Sequence, residues 1–143
     1  MNSIRAYAEK GGRVLGICNG FQILTEARLL PGALVKNVSL RFRDDWVDLN
    51  VVDRKTPWSA GLKKDKIKLP IAHGDGRFYA AADELKRIEG EGQVWLRYAK
   101  NPNGSLNDIA GVTNKAGNVA ALMPHPERAI YDWMGGQDGW NFL

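Results

Sequence analysis

Val14-Leu15-Gly16-Ile17-Cys18-Asn19-Gly20-Phe21-Gln22 sets a short apolar run against a cysteine flanked by glycines, and its reading decides the fold. The apolar start predicts a buried strand, and Asn19 to Ala27 predicts a helix that stops before Pro31-Gly32. A glycine two places before the cysteine and another two places after it suit a sharp strand-to-helix elbow, where the chain reverses without side chains colliding. Such a turn leaves the sulfur at the edge of a sheet. The first amides of the following helix favour negative charge, so the thiolate is expected to be more accessible there. Cys18 is the single cysteine of the chain, and a lone cysteine also reads as a small buried hydrophobe.

The far end of the chain bears on that choice. Val119-Ala120-Ala121-Leu122-Met123 predicts a second buried strand, which runs into Pro124-His125-Pro126-Glu127-Arg128. The two prolines fix the backbone on either side of His125 and present its imidazole from a rigid loop. A cysteine nucleophile needs a base for its proton, and the base needs an acceptor on its other nitrogen. Cys18, His125 and Glu127 supply those three groups, and neighbouring parallel strands can bring distant segments to one crevice. The alternative for His125 is a surface-loop histidine with a structural hydrogen bond.

At 143 residues, 44% hydrophobic and 25% charged, the chain is large enough for one core and too short for two ordinary domains. One domain spanning 1–143 is expected. No apolar run approaches the roughly 20 residues that span a bilayer, and no charged-then-apolar leader opens the sequence, so no membrane partner is expected. One cysteine rules out an internal disulfide framework and suits a reducing cytosol, hence a cytoplasmic location. One Cys and two His at these separations match no metal-ligand spacing, so no metal is expected. The net charge of +4 is dispersed among acids, as in Lys63-Lys64-Asp65-Lys66, and accompanies no nucleic-acid motif. A solvated face or a docking surface fits it better than a nucleic-acid partner.

Between the two ends, Trp46 to Val52, Val94 to Tyr98 and Ile109 to Thr113 predict strands, and Ala82 to Glu89 predicts a helix with Leu85 and Ile88 inward. Asn114-Lys115-Ala116-Gly117-Asn118 is a turn into the last strand, so part of the sheet is antiparallel. The opening residues predict a helix capped by Asn2 or Ser3 and stopped by Gly11. The fold class is therefore α/β: a mixed sheet, parallel in its central part, flanked by helices. Five tryptophans read as packing residues, with Trp133 and Trp140 candidates for an interface.

Gly16 to Gln22 with Pro124 to Glu127 resembles the class I, triad-type glutamine amidotransferases, which have a flavodoxin-like sheet. The segments Gly16 to Ala33, His73 to Phe78 (HGDGRF), Asn101 to Gly111 (NPNGSLNDIAG) and Met123 to Ala129 resemble, more narrowly, the glutaminase subunit of phosphoribosylformylglycinamidine synthase. The resemblance implies that Cys18 is the nucleophile, His125 the general base and Glu127 the group that orients it. It implies a place for Gln22 beside the substrate glutamine, and the backbone amide of Asn19 as an oxyanion donor. His73-Gly74-Asp75-Gly76-Arg77 fits a role in holding glutamine or in contacting the synthase, because its glycines let amides face a ligand and Arg77 suits a carboxylate. A glycine turn with a surface ion pair is the other reading of that segment.

The implied activity is hydrolysis of L-glutamine to glutamate and ammonia in purine biosynthesis. The implied partners are a synthetase subunit, which uses ATP and Mg, and a small accessory subunit; no cofactor is expected in this chain. The family's first strand, the helix after it and the glycine-rich loop carrying a second oxyanion donor are not among the 143 residues, so the domain is expected to be incomplete at its N-terminus. A different start site, a partner or a second copy would then supply them, and the chain alone is expected to be slow or inactive. A non-catalytic fragment that docks on a synthetase, and a related cysteine hydrolase, are the alternatives.

Overall fold

The computed structural model describes residues 1–54 and 56–142. Eight strands and three α-helices follow in the order α1 (Asn2–Glu9), β1 (Val14–Ile17), α2 (Asn19–Glu26), β2 (Ala33–Val35), β3 (Arg43–Val51), β4 (Lys66–His73), β5 (Arg77–Tyr79), α3 (Ala82–Gly90), β6 (Val94–Tyr98), β7 (Ile109–Thr113) and β8 (Val119–Leu122). Short 3-10 turns over Pro126–Arg128, Asp132–Met134 and Asp138–Phe142 follow β8 among the described residues. Six strands form one sheet in the order β1-β8-β7-β6-β3-β4, and β2 and β5 make a separate antiparallel pair.

The sheet is mixed, as expected, but its parallel pairing lies at one edge of the described strands rather than in the centre. Only β1 and β8 run parallel, with Val14 opposite Val119 and Ile17 opposite Leu122. The other four pairings are antiparallel. The connections explain this: a parallel pair needs a crossover of a dozen or more residues, whereas the turn at Asn114–Asn118 forces β7 and β8 antiparallel. Asn114 holds that turn by accepting the Val119 amide through Oδ1 at 3.1 Å.

Alternation along the strands sorts side chains to two faces. Val119 and Ala121 pack with Phe21, Leu24, Ile88 and Val112. Ala120 and Leu122 pack with Leu49, Leu69, Trp95 and Phe142 on the other side, beneath the C-terminal turns. Trp95 anchors that second face: it is fully buried, stacks edge-on to Phe142, and donates its Nε1–H to Ala121 O at 3.0 Å. Burying a side chain of this kind contributes about 3 kcal/mol or less.

Neither Asn2 nor Ser3 caps α1; both lie inside the helix, Met1 occupies the cap and no side chain bonds there. The stop at Gly11 is as expected, with its φ of 84° and its amide donating to Ala8 O. The strand predicted from Trp46 begins at Arg43, because Arg43, Asp44 and Asp45 continue the ladder opposite His73, Ala72 and Ile71. Trp133 and Trp140 are exposed; Trp133 stacks on Tyr131 and Trp140 meets the same ring edge-on. Among the described residues, no helix is long and apolar enough to cross a membrane.

Candidate functional site

The elbow forms as β1 ends. The Cys18 amide donates to Leu122 O at 2.9 Å, one step beyond the β1–β8 ladder, and α2 starts at the next residue. Cys18 itself takes φ 50° and ψ −105°, a backbone state that side chains rarely adopt. The amides of Phe21 and Gln22 both donate to Cys18 O, so the reversal is pinned by the first turn of α2. The two flanking glycines turn out to differ. A Cβ on Gly16 would lie 2.6 Å from Leu24 Cδ1 and 2.8 Å from the Gly20 backbone, whereas a Cβ on Gly20 would meet nothing within 4 Å.

β8 leads from its last residue to the proline-framed loop. The His125 amide donates to Pro70 O at 2.8 Å, which ties the loop to β4, and the amide of Gly139 donates to Ala129 O beneath it. His125 is buried, and its Nδ1 lies 2.5 Å from Glu127 Oε1. A carboxylate oxygen accepts, so Nδ1 carries a proton, and in the neutral ring Nε2 is the atom with the lone pair. That Nε2 is buried and has no partner among the described residues.

Cys18, His125, Asn19, Gln22, His73, Asp75 and Arg128 share one cleft of about 360 Å³, which Phe42 and Ala72 also line. The Cys18 thiol points toward Ala72 O at 3.9 Å. Burial pushes the thiol up from its ordinary value, against the opposing pull of the Asn19 amide and the Arg128 guanidinium. This reverses the expectation of an accessible thiolate: half-burial outweighs the helix-terminal amide, and the resting group is a thiol. His73 is pushed down to about 4, first by burial and then by the neighbouring His125.

Of the residues singled out in the sequence, Cys18, His125, Asn19, Gln22 and His73 line this cleft. Glu127 reaches it through His125. Arg77 does not: its Nε donates to Gly104 O at 3.1 Å, so the guanidinium is engaged with the Asn101–Ser105 turn rather than facing the thiol. The strand over Arg77–Tyr79 explains this, since alternation buries Phe78 and turns Arg77 to the opposite face. Arg128 supplies a cation to the cleft instead, and its place beside Glu127 was the one signal for it in the sequence. A larger hollow of about 530 Å³, lined by Arg28, Glu84, Arg87 and Lys115 among others, contains neither cysteine nor histidine. Two of its cations are held in ion pairs, Arg87 to Glu84 and Glu91, and Lys115 to Glu91.

Fold and cleft together define an α/β protein that presents a cysteine from a strand-to-helix elbow beside a histidine–carboxylate pair. Residues 1–138 match the CobB/CobQ-like glutamine amidotransferase domain, and the chain belongs to that family. It is 54% identical over 144 residues to the phosphoribosylformylglycinamidine synthase subunit PurQ of Prochlorococcus marinus, covering 100% of this chain and 66% of that relative. It is 52% identical to the PurQ subunit of Thermomicrobium roseum, over 100% of this chain and 65% of that one. Among solved structures it is similar to PurLQS from Thermotoga maritima, with a TM-score of 0.87 and 48% identity over 97% of this chain and 62% of that chain. The chain thus spans just under two thirds of the length of the relatives it matches.

Proposed function

We propose that this chain carries the thiol chemistry of a glutaminase that supplies ammonia to phosphoribosylformylglycinamidine synthase. The observation that carries the proposal is the shared cleft: Cys18 at the elbow and a His125 ring whose tautomer Glu127 fixes. The 54% identity to a PurQ subunit supports glutamine as substrate and a synthetase subunit, with its small accessory subunit, as partners. ATP and Mg belong to that synthetase partner in this reading.

The chemistry follows from the protonation states. Because burial holds the Cys18 thiol neutral, His125 Nε2 takes its proton as the sulfur attacks the side-chain amide carbon of glutamine. The carbonyl oxygen becomes an oxyanion, for which the Asn19 amide at the start of α2 serves as a donor; one such donor is worth about 3 to 4 kcal/mol of barrier. Collapse breaks the C–N bond, and His125 returns its proton to the nitrogen, which leaves as ammonia. A glutamyl thioester remains. Water, deprotonated by the same Nε2, attacks it; collapse breaks the C–S bond and releases glutamate, and the proton on Nε2 returns to the Cys18 sulfur.

The test is glutamate release from glutamine, measured for the chain with its synthetase partner and for a complex carrying Cys18→Ala. Turnover abolished by the substitution is the expected result. No turnover in the unaltered complex would favour a docking module without chemistry of its own.

A further inference from the structure

Asn37 is fully buried, yet it lies in none of the motifs that the sequence offers. Its side-chain amide is oriented without ambiguity. Nδ2 donates to two carbonyls, Arg41 O at 2.9 Å and His73 O at 2.8 Å, so Oδ1 must be the atom on the other side. Oδ1 accepts the Gly76 amide at 3.2 Å and also faces His73 Nδ1 at 3.0 Å. Only a donor satisfies an acceptor, so His73 Nδ1 carries the proton. A Cβ on Gly76 would lie 2.2 Å from that Nδ1, so ring, amide and carboxamide are packed with no room for a side chain between them.

The consequence falls on the other ring nitrogen. His73 lines the cleft, is 4% exposed, and its Nε2 is buried without a partner among the described residues. We propose that Asn37 is a positioning residue of the cleft, holding His73 Nδ1–H so that Nε2 is a bare lone pair awaiting an N–H donor of bound glutamine. The proposal rests on the reading of the cleft as a glutamine site.

The surroundings keep the ring neutral. Burial and His125 both disfavour its charged form, and the Asp75 carboxylate, which favours it, is outweighed. Arg128 and Cys18 are the other charged or titratable groups that line the cleft. With its pKa down near 4, the ring stays an acceptor over the whole range in which an ordinary histidine changes charge.

Nitrogen NMR of the imidazoles tests this directly, because the chain has only two histidines. His73 is expected to stay neutral with the proton on Nδ1 from about pH 5 to 8. A ring that titrates near the ordinary value, or carries its proton on Nε2, overturns the proposal. In a Cys18→Ala chain, glutamine is expected to shift the Nε2 resonance; glutaramate, which lacks the α-ammonium, tells whether the carboxamide is the donor. No shift with either overturns the acceptor role.

The near-isosteric Asn37→Asp adds a pH signature. A carboxylate against Nδ1 raises the His73 pKa, so the lone pair is lost as pH falls through the new value and regained above it. Labelling of Cys18 by an electrophilic glutamine analogue, relative to iodoacetamide, is expected to drop about tenfold on the acid side and recover on the alkaline side. A drop of the same size at every pH would mean mere structural damage and overturns the positioning role. If the analogue is no faster than iodoacetamide in the unaltered chain, the glutamine reading itself fails, whatever the NMR shows.

Discussion

Gly16→Ala is expected to disturb the elbow, while Gly20→Ala is not, although both glycines flank the same cysteine. Gly16 sits in β1 opposite Ala121, and its φ is not positive, so the backbone tolerates alanine. Space does not. The new Cβ would lie 2.6 Å from Leu24 Cδ1, which can rotate, and 2.8 Å from the C and O of Gly20, which cannot. Restoring ordinary contact requires a backbone shift of about 0.6 Å, carried by the first turn of α2 and hence by the Asn19 amide beside the sulfur. Overpacking of this kind costs about 1 to 3 kcal/mol, which for a chain of this length lowers Tm by roughly 3 to 10 °C. Misplacing the donor by up to about 1 Å slows reaction at Cys18 by as much as roughly a hundredfold. At Gly20, by contrast, a half-buried helical position gains a methyl that meets nothing within 4 Å, and alanine stabilises by about 0.4 to 1 kcal/mol. Thermal melts of the two variants, with Cys18 labelling by a glutamine analogue, decide the matter. Equal melting temperatures for both, or a Gly20 variant less stable than the Gly16 one, would show that the close approach of β1 to α2 is not what the glycine serves.

Three further expectations concern single groups. Glu127→Gln removes the charge that fixes the His125 tautomer at 2.5 Å, and glutamate release in the complex should fall by roughly two to four orders of magnitude; an unchanged rate would remove Glu127 from the mechanism. Trp95→Phe leaves Ala121 O without its indole donor inside the core, and urea unfolding should show a loss of about 1 to 3 kcal/mol, against no change if the bond is incidental. The depressed His73 pKa predicts acid sensitivity. The unfolded ring takes up its proton near pH 6.5 and the folded one only near 4, so the unfolded state binds more protons in between and stability falls as pH drops through that window. The loss is about 3 kcal/mol when complete, and His73→Gln should flatten the slope of stability against pH across it; an equal slope in both proteins would assign the acid sensitivity elsewhere.

What the sequence made legible was whatever depended on short-range pattern. The strand before Cys18, the helix after it and the proline frame around His125 are all set within a few residues, and β6 and β7 were delimited residue for residue by their apolar content. β4 was not. Its Pro70 argues against a strand, yet the strand lies at the sheet edge and pairs only with β3, where a missing amide costs least. That edge position also frees Pro70 O to accept the His125 amide, so the residue that hid the strand is one that fixes the base.

Arg77 and Asn37 mark the other limit, because their roles depend on which loop lies against which. The turn at Asn101–Ser105 captures Arg77 through Gly104 O and braces the neighbouring loop, with Asn103 Nδ2 donating to Gly76 O and Ser105 Oγ accepting the Phe78 amide. Asn103 O also accepts the Val38 amide, next to Asn37, so three segments about 30 residues apart in sequence set one histidine ring. Such a contact leaves no periodicity and no composition bias, since each segment alone reads as a polar turn. Its physical trace is a buried polar side chain with every atom paired, as Asn37 is, and that pairing is visible only once the loops are folded together. The cleft is therefore built twice over. A local elbow and a local proline loop place the sulfur and the base, and a long-range brace of asparagines decides what the second histidine offers them.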